Sequence, residues 1–536
     1  MNKDELNRNI KPKIHRKKNF PEKKGENYIM VTNWNPINRD ITQKKYYIDP
    51  LTSLLESGNN HKINILQGTT GSGKTHVSLN KMPAMLINLT DVVVHVILSP
   101  VTELLSDSEL PFSWGSDIHC LIGKDEVDAK KVKRERKRKK LLILACTHGW
   151  FFHKKQAEIR DYLLNCIPSK VSYDLMELHR ASSSSIEASK ANIGVCPDPL
   201  AFKGQLHEYI RKALEKGSWA FGSTATLTNE MKKDYIGSDL WNIINDPIPL
   251  KEIGGYMKYI DDASIPISPD KEDIDVPSHV ASMIKRIRSV EHDLILYVKG
   301  KLAEVDRSLL DSDKEKADIY RELLGENNEV DHPGAHPVGL IKVENKAKKT
   351  FKWDIKKIRN ILAGQIMEAG DGWENFHWVE VTEKGWTRYA TGPDWKSSGP
   401  TVVEKSKRPN DNRWLWLMKE DPKCKIVVVV MRGTVGINIP NLTHGLILRS
   451  SDMENEGERI LNSGLQLLGR FNRQYFGGLT RGQMAKLPVE VQEKIGKELN
   501  VFKIAYINTE YWQEVLEEYE KSYGLTYDQA RKLYAQ

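Results

Sequence analysis

The chain has few cysteines, no long apolar run and no apolar leader, and each shortage disfavours a class of protein. Its five cysteines are widely spaced and form no CxxC pair, which argues against a zinc ribbon and is typical of reduced intracellular thiols. No stretch of about 18 uncharged apolar residues occurs, so the sequence predicts no membrane span. The N-terminus is polar and basic, which disfavours a secretory signal. We therefore expect an intracellular, cytoplasmic protein.

The charge balance is mildly basic. The 536 residues carry a formal net charge of +8, with 28% charged and 39% hydrophobic residues. This excess suits a polyanionic partner such as nucleic acid, although a solvated basic surface would also account for it. The length allows two to four domains, each with its own core.

Apolar runs alternate with helical stretches, which predicts an α/β fold with two parallel-sheet lobes. The expected strands of the first lobe are residues 63–67, 92–98, 141–147 and 219–223, and those of the second are 294–298, 425–431 and 445–448. The expected organisation is a basic arm and lead-in (1–60), lobe 1 (61–264), a linker (265–290), lobe 2 (291–510) and a helical C-terminal segment (511–536).

A tryptophan-rich stretch, 352–416, fits the alternation poorly and is interpreted as an insert in the second lobe. It holds seven of the thirteen tryptophans. Within it, FHWVEVTEKGWTRYAT predicts a hairpin that turns at Glu383 to Gly385. Packed aromatics in a structural insert are the favoured interpretation, and exposed aromatics that stack on bases are the alternative.

The sequence GTTGSGKT matches the phosphate-binding pattern G-x-x-x-x-G-K-[ST] and lies between an apolar strand and a plausible helix. Its glycines let backbone N–H groups turn toward phosphates, Lys74 reaches the β- and γ-phosphates, and the Thr75 hydroxyl ligates Mg²⁺. The pattern predicts ATP and Mg²⁺ as cofactors. The nucleotide-binding residues are Gly68, Thr69, Thr70, Gly71, Ser72, Gly73, Lys74 and Thr75.

A nucleotide-hydrolysing site also needs an acid for the metal and an acid that activates water, which together we call the acid motif. We expect it at the end of a second strand, and the candidate is SYDLMELHRAS, residues 172–182. If Asp174 is the metal-side acid, Leu175 stands where the catalytic Glu is expected. If Glu177 and His179 fill a D-E-x-H pattern, Met176 replaces the Asp. We assign Asp174 to the metal and Glu177 to catalysis, and leave the register open.

Three further segments follow expected strands. In GSTATLT, Thr224 and Thr226 are candidates for coupling, because small hydroxyl residues can hydrogen-bond a neighbouring acid and transmit nucleotide state. LSPVTEL offers Pro100 and Thr102 to a phosphodiester. MRGTVGINIP offers Asn438 to the ribose and Thr434 to a nucleic-acid phosphate.

The last motif is QLLGRFNR, residues 466–473. Its arginines, Arg470 and Arg473, are three residues apart. On a helix, positions i and i+3 share a face, so we expect both guanidiniums to point at one nucleotide.

A basic run, KKVKRERKRKK, covers residues 130–140. It is either a helix that grips a phosphate backbone or a solvated surface, and it supports a nuclear location only weakly.

Taken in order, these motifs resemble those of superfamily 2 helicases of the DExH type, over residues 60 to 480. GTTGSGKT looks like motif I, LSPVTEL like Ia, MELH or DLME like a degenerate motif II, and GSTATLT like III. LILYVKG resembles motif IV, RGTVGINIP motif V and QLLGRFNR motif VI. The resemblance implies two RecA-like lobes with ATP in the cleft and single-stranded nucleic acid crossing both. It implies no subfamily.

The expected function is an ATP-dependent helicase or translocase, with Lys74, Glu177, Gln466, Arg470 and Arg473 as its catalytic residues. DNA is favoured over RNA because the second lobe lacks the sequence HRIGR, which is usual in RNA helicases. The alternatives are a nucleic-acid-stimulated ATPase that remodels without unwinding, and a nucleic-acid-binding protein with a decayed ATPase site.

Overall fold

The computed structural model describes most of the chain, and its compact parts form two units that divide between Ile248 and Pro249. The described residues are 41–68, 72–99, 116–123, 126–176, 205–224, 240–246, 248, 258–260, 265–267, 272–308, 310–326, 334–343, 353–370, 373–408, 411–430, 439–448, 464, 467–471, 473–507 and 510–522.

The first unit alternates strands with helices. Its strands are β1 (Ile63–Gln67), β2 (Val94–Ser99), β3 (Ile118–Ile122), β4 (Leu141–Thr147), β5 (Val171–Leu175), β6 (Trp219–Thr224) and β7 (Trp241–Ile243). Its helices are α1 (Asp49–Ser57), α2 (Lys74–His76), α3 (Met82–Leu89), α4 (Ala129–Arg138), α5 (His148–Phe151), α6 (Ala157–Asp161) and α7 (Gln205–Glu215). Shorter π- and 3₁₀-helical turns cover Lys44–Ile48, Val77–Lys81, Lys154–Gln156, Tyr162–Cys166 and Pro168–Lys170.

The seven strands of the first unit form one sheet in the order β3-β4-β2-β5-β6-β1-β7. Every pairing in it is parallel. β1, β2 and β5 are buried along their whole length, as expected for strands covered by helices on both faces. The β-branched and leucine-rich runs of the sequence therefore became the central strands, and the expected strands of the first lobe are confirmed.

The second unit has its own strands and helices. Its strands are β8 (Tyr259–Ile260), β9 (Ile265–Ile267), β10 (Val338–Lys342), β11 (His377–Thr382), β12 (Gly385–Ala390), β13 (Thr401–Ser406), β14 (Cys424–Val429), β15 (Leu442–Ile447) and β16 (Val501–Ile507). Its helices are α8 (Glu272–Val305), α9 (Asp311–Leu324), α10 (Ile355–Glu368), α11 (Trp395–Ser398), α12 (Arg413–Glu420), α13 (Arg481–Met484), α14 (Val489–Leu499) and α15 (Glu510–Ser522), with a 3₁₀ turn at Trp373–Asn375.

The second sheet has nine strands in the order β13-β12-β11-β14-β10-β15-β16-β8, with β9 also paired to β16. All pairings are parallel except those that β12 makes with β11 and β13. Two apolar clusters cover its faces, and a third lies between α8, α9 and residues 475–499. The expected α/β fold with two parallel-dominated sheets is confirmed.

The stretch expected to link the lobes is part of the second unit. β9 pairs in parallel with β16, and α8 begins at Glu272. The expected strand at 294–298 is also wrong, because these residues lie inside α8. Leu294 and Val298 are buried at helical spacing, whereas Leu296 between them is 55% exposed. A strand would have placed all three on one face.

The tryptophan-rich segment contributes to the sheet. α10 is followed by β11, which continues the parallel rhythm, and only β12 and β13 depart from it. The expected hairpin is confirmed, since Thr382 pairs with Gly385 across a turn at Glu383 and Lys384. Four of its tryptophans are buried at 2% exposure or less, namely Trp353, Trp378, Trp386 and Trp414. Packing is thus their main role, while Trp416 is 55% exposed.

The 34 residues of α8 make it the longest helix in the described part of the chain. No helix among the described residues is both long and apolar enough to cross a membrane.

Candidate functional site

The phosphate-binding sequence lies where the pattern requires, between β1 and the start of α2. Gly73 has a φ of +95°, a left-handed conformation that favours glycine, and the helix begins at the next residue. The side chain of Lys74 is buried, and its ammonium group donates to the Gly68 carbonyl at 2.7 Å. The ammonium therefore points back over its own loop. Thr75, half-buried, follows in the first turn, and Thr69, Thr70 and Gly71 lie outside the described residues.

Two residues that precede β1 hold this loop from outside. The Tyr47 hydroxyl is 2.5 Å from the Ser72 hydroxyl, and the Gln43 amide donates to the Ser72 carbonyl at 3.3 Å. A Cβ atom placed on Gly68 would overlap the Tyr47 hydroxyl, so a larger residue at this position would displace the Tyr47 side chain. Neither contact could be predicted from the sequence, because Tyr47 and Gln43 lie in a helical stretch without a motif.

The ends of three neighbouring strands meet beside this loop. β6 lies between β1 and β5, and Gln67 is in register with Thr224. Leu175 at the end of β5 is in register with Gly222 of β6. The phosphate loop, the acid motif and the GSTATLT segment therefore occupy the same carboxyl edge of the parallel sheet, which is where ligands bind in folds of this class.

Asp174 is the acid that the structure places near the loop. It is the fourth residue of β5, it is 1% exposed, and its carboxylate accepts a hydrogen bond from the Ser78 hydroxyl. Ser78 lies three residues after Thr75 on the helical segment that follows Lys74. Helix periodicity from Thr75 could have identified Ser78, which the sequence analysis missed.

Burial raises the pKa of Asp174 from 3.8 to about 6, and the hydrogen bond from Ser78 opposes that shift. A divalent cation would favour the charged form and lower this pKa. The hydroxyl of Thr75 and the carboxylate of Asp174 are oxygen donors of the kind that Mg²⁺ takes, together with water and substrate phosphates. The donor chemistry at this edge of the sheet therefore fits the metal.

The residues after Asp174 are apolar and buried. Leu175 is fully buried and Met176 is 2% exposed, and the Met176 N–H donates to the Leu98 carbonyl at 3.0 Å. Neither can activate water. Glu177 lies outside the described residues, so its assignment stays a prediction and the register of the acid motif stays open.

Several other predicted residues also lie outside the described part of the chain. Thr224 ends β6, and nothing is described of its side chain. The remaining positions beyond the described ranges are Pro100, Thr102, Thr226, Thr434, Asn438 and Gln466.

The two arginines of QLLGRFNR do not share a helix face. Leu467 and Leu468 are helical, but a turn begins at the next residue and includes Arg470, while Arg473 lies in an isolated bridge. Arg470 is 4% exposed and Arg473 is half-buried. The helical placement expected from the i, i+3 spacing is therefore wrong, and the role of both arginines at one nucleotide stays a prediction.

Apolar residues anchor this segment to the second unit. Leu467, Leu468 and Phe471 are fully buried in one core cluster, and Phe471 stacks on Phe502 of β16 with ring centroids 5.6 Å apart. The hydrophobic residues of the motif therefore hold it against the second sheet, and this packing sets the positions of the two arginines.

No family model and no curated protein sequence matches the chain. Solved structures similar to it include the ATP-dependent Type ISP restriction-modification enzyme LlaBIII bound to DNA, at 11% identity and a TM-score of 0.42, covering 96% of this chain and 33% of that one. Others are S. cerevisiae Dbp5 bound to RNA and ADP BeF3 (11%, 0.43, 93% and 96%) and Mycobacterium smegmatis helicase Lhr bound to ssDNA and AMP-PNP (12%, 0.41, 89% and 48%).

The chain thus spans about a third of the length of LlaBIII and about half that of Lhr.

Proposed function

We propose that this chain is an ATP-dependent nucleic-acid helicase or translocase that acts on DNA. The observation that carries the proposal is the complete GTTGSGKT sequence at the carboxyl end of a buried parallel strand, with Lys74 at the start of the helix that follows. Backbone N–H groups at a helix start and a buried lysine form a phosphate site. Asp174 at the same sheet edge adds an acid.

Each residue of this edge has a proposed task. Lys74 would leave the Gly68 carbonyl and neutralise the β- and γ-phosphates, a role for which a mobile ammonium is suited. Thr75 and Asp174 would hold Mg²⁺, which supplies charge neutralisation at the phosphates. Glu177 would position or deprotonate the attacking water, and Thr224 and Thr226 would couple that acid to the rest of the site.

The second unit would supply the remaining groups. We assign Arg473 to the developing charge on the γ-phosphate and Arg470 and Gln466 to the same nucleotide, with Asn438 at the ribose. Pro100 and Thr102 of the first unit and Thr434 of the second would contact the nucleic-acid backbone. Hydrolysis in such a motor alternates the grip of two lobes on the strand.

One observation supports the alternative that the ATPase site has decayed. The position after Asp174 is a buried leucine, so no catalytic acid stands beside the metal-side acid. In that case the chain would bind nucleotide and nucleic acid without turnover. A remodelling ATPase that does not unwind is the second alternative.

A pair of assays separates the three functions. ATPase activity is measured with and without single-stranded DNA or RNA of matched sequence, and strand displacement is measured on a tailed duplex. A helicase is stimulated and displaces the strand, a remodeller is stimulated without displacement, and a decayed site shows neither. Stronger stimulation by RNA than by DNA would contradict the DNA assignment.

The acid motif needs its own variants. Asp174→Ala should weaken Mg²⁺-dependent nucleotide binding, and Glu177→Gln should trap bound ATP. Normal turnover of Glu177→Gln together with an inactive Asp174→Asn would leave only the register in which Asp174 is the essential acid. If neither variant changes turnover, the assignment of the motif is wrong.

A further inference from the structure

We infer that α4, with Lys139 and Lys140 just after it, is a second nucleic-acid contact, separate from the carboxyl edge of the sheet where the phosphate loop lies. The inference rests on the proposed function, because it takes nucleic acid as the partner. The run from Lys130 to Lys140 contains nine basic residues and one acid. Its net charge of +8 equals that of the whole chain, so all other residues together sum to zero. The positive excess of the protein is concentrated on this helix and on the two lysines that follow it, Lys139 and Lys140.

The helix presents this charge to solvent. Its buried side consists of Ala129, Val132 and Glu135, at helical spacing. Lys130, Arg134 and Lys137 are exposed, and their i, i+4, i+7 spacing places them on the opposite side. This row extends over roughly 10 Å at 1.5 Å per residue. It is long enough to meet two or three phosphates of one strand, which are about 3.4 Å apart along the axis of B-DNA.

Folding does not account for this arrangement. Cations in the last turn of a helix are stabilised by its carbonyl end, but Lys130 and Lys131 lie in the first turn, where the helix dipole disfavours them. Lys130 with Arg134, and Lys133 with Lys137, are like charges at i, i+4, which destabilise a helix by about 0.2–0.5 kcal/mol each. A polyanion on this surface would relieve the repulsion.

Part of the charge is used within the protein. Arg134 pairs with Glu135 at 2.8 Å, and Lys140 with Asp117 at 2.9 Å. In the part of the chain that the structure describes, the side chains of Lys130, Lys131 and Lys137 form no such hydrogen bond or ion pair. These three remain available to phosphates.

The contact lies away from the phosphate loop. α4 ends just before β4 begins, so Lys139 and Lys140 lie at the amino edge of the sheet, whereas the phosphate loop follows the carboxyl end of β1. β4 and β1 are four strand positions apart, which corresponds to roughly 19 Å at about 4.8 Å per strand. The basic run cannot bind the same nucleotide as Lys74.

The chemistry favours a phosphodiester backbone over a lipid surface. A helix that lies on a membrane inserts an apolar face, but the apolar residues of α4, Ala129 and Val132, are buried in the core of the first unit. What it exposes is charge alone, which matches the sequence-independent electrostatic binding of nucleic acid.

The test is the salt dependence of binding to a 30-bp DNA duplex without ATP, measured by fluorescence anisotropy. The variant is Lys130→Gln/Lys131→Gln/Lys137→Gln in the full chain, because Gln keeps the helix propensity of Lys. The slope of log Kobs against log[salt] should become shallower by about two to three units, at roughly 0.9 per phosphate contact. The matched control, Lys154→Gln/Lys155→Gln/Lys170→Gln, removes three exposed lysines of the same unit and should leave the slope unchanged.

An unchanged slope in the α4 variant overturns the inference, as does an equal change in the control. Wild-type binding to anionic vesicles that is lost in the variant, with DNA binding intact, would assign the helix to membranes instead. Thermal melting verifies that both variants fold. Because no ATP is present, the result does not depend on the ATPase proposal, which the Lys74 variant described below tests separately.

Discussion

At the residue scale, the proposed ATPase activity depends most directly on Lys74. Its ammonium group is buried beside the Gly68 carbonyl, at the start of the helix that would face the phosphates. Lys74→Ala removes the charge that stabilises the leaving phosphate, so ATPase turnover should fall by roughly 10²–10³ or more. Lys81→Ala, seven residues further along the same helical segment, is the control and should turn over normally. Wild-type turnover in Lys74→Ala would eliminate the motor proposal.

Asp174 should make stability depend on pH. Its pKa is about 6 in the folded chain because of burial, against 3.8 for an ordinary Asp. The folded chain therefore holds this proton more tightly than the unfolded chain, and the free energy of unfolding falls as pH rises from about 4 to about 6. Asp174→Asn removes this fall in the free energy of unfolding, because asparagine does not titrate. The variant should exceed wild type in stability at pH 7.5, by at most about 3 kcal/mol at 1.36 kcal/mol per pKa unit, and should match it near pH 4.

Urea unfolding across this pH range measures the difference. The control is Asp246→Asn, since Asp246 is exposed and its replacement should leave the two pH profiles parallel. Mg²⁺ with ATP should then stabilise wild type more than Asp174→Asn. A variant that is less stable than wild type at every pH would mean that the Ser78 hydrogen bond outweighs the cost of burial.

At the element scale, a bidentate ion pair attaches α10 to the second sheet. Arg359 Nε is 2.8 Å from Glu380 Oε1, and the second pair of atoms is 2.5 Å apart. Glu380 is 3% exposed, and Trp378 also donates to it at 3.3 Å. Removing the arginine leaves a buried carboxylate without its partner, which typically costs about 3–5 kcal/mol.

We therefore expect Arg359→Ala to lower the free energy of unfolding of the second unit by roughly 3 kcal/mol. The comparison is Arg413→Ala, which breaks the partly exposed pair between Arg413 and Glu404 and should cost less than about 1 kcal/mol. Chemical denaturation followed by tryptophan fluorescence reports on this region, because Trp378, Trp386 and Trp414 lie in its core. Equal losses in the two variants would show that the buried pair has no special weight.

At the scale of the whole molecule, the proposed ATPase draws on both units. Lys74 belongs to the first unit and Arg473 to the second. If Arg473 meets charge only as the γ-phosphate leaves, Arg473→Ala should retain ATP affinity while hydrolysis falls by roughly 10³-fold. Lys at this position should restore little activity, because an ammonium lacks the planar fork of a guanidinium.

Equilibrium binding of a fluorescent ATP analogue and single-turnover hydrolysis give the two quantities for Arg473→Ala. Parallel loss of both would indicate a ground-state contact. If neither ATP affinity nor the hydrolysis rate falls, Arg473 has no role in turnover, and the argument that the second unit contributes to it is lost.

The sequence by itself determined the features that depend on local chemistry. Runs such as LLILACT became central strands because a strand covered on both faces must be apolar throughout. The GTTGSGKT sequence could be recognised as a candidate phosphate loop because its glycines and its lysine lie within one short segment. The hairpin at Glu383 to Gly385 follows from alternation and a turn.

Tertiary structure decided what depends on distant neighbours. Residues 294–298 are apolar enough for a strand, but packing of Leu294 and Val298 against α9 and residues 475–499 made them helical. Asp174 meets Ser78, 96 residues away in the chain, because β5 and the helical segment after Lys74 pack together. Tyr47 reaches Ser72 in the same way. Arg470 lies in the turn that follows the helical residues Leu467 and Leu468, and Phe471 of the same turn is buried in the core of the second unit, a placement that spacing alone does not contain.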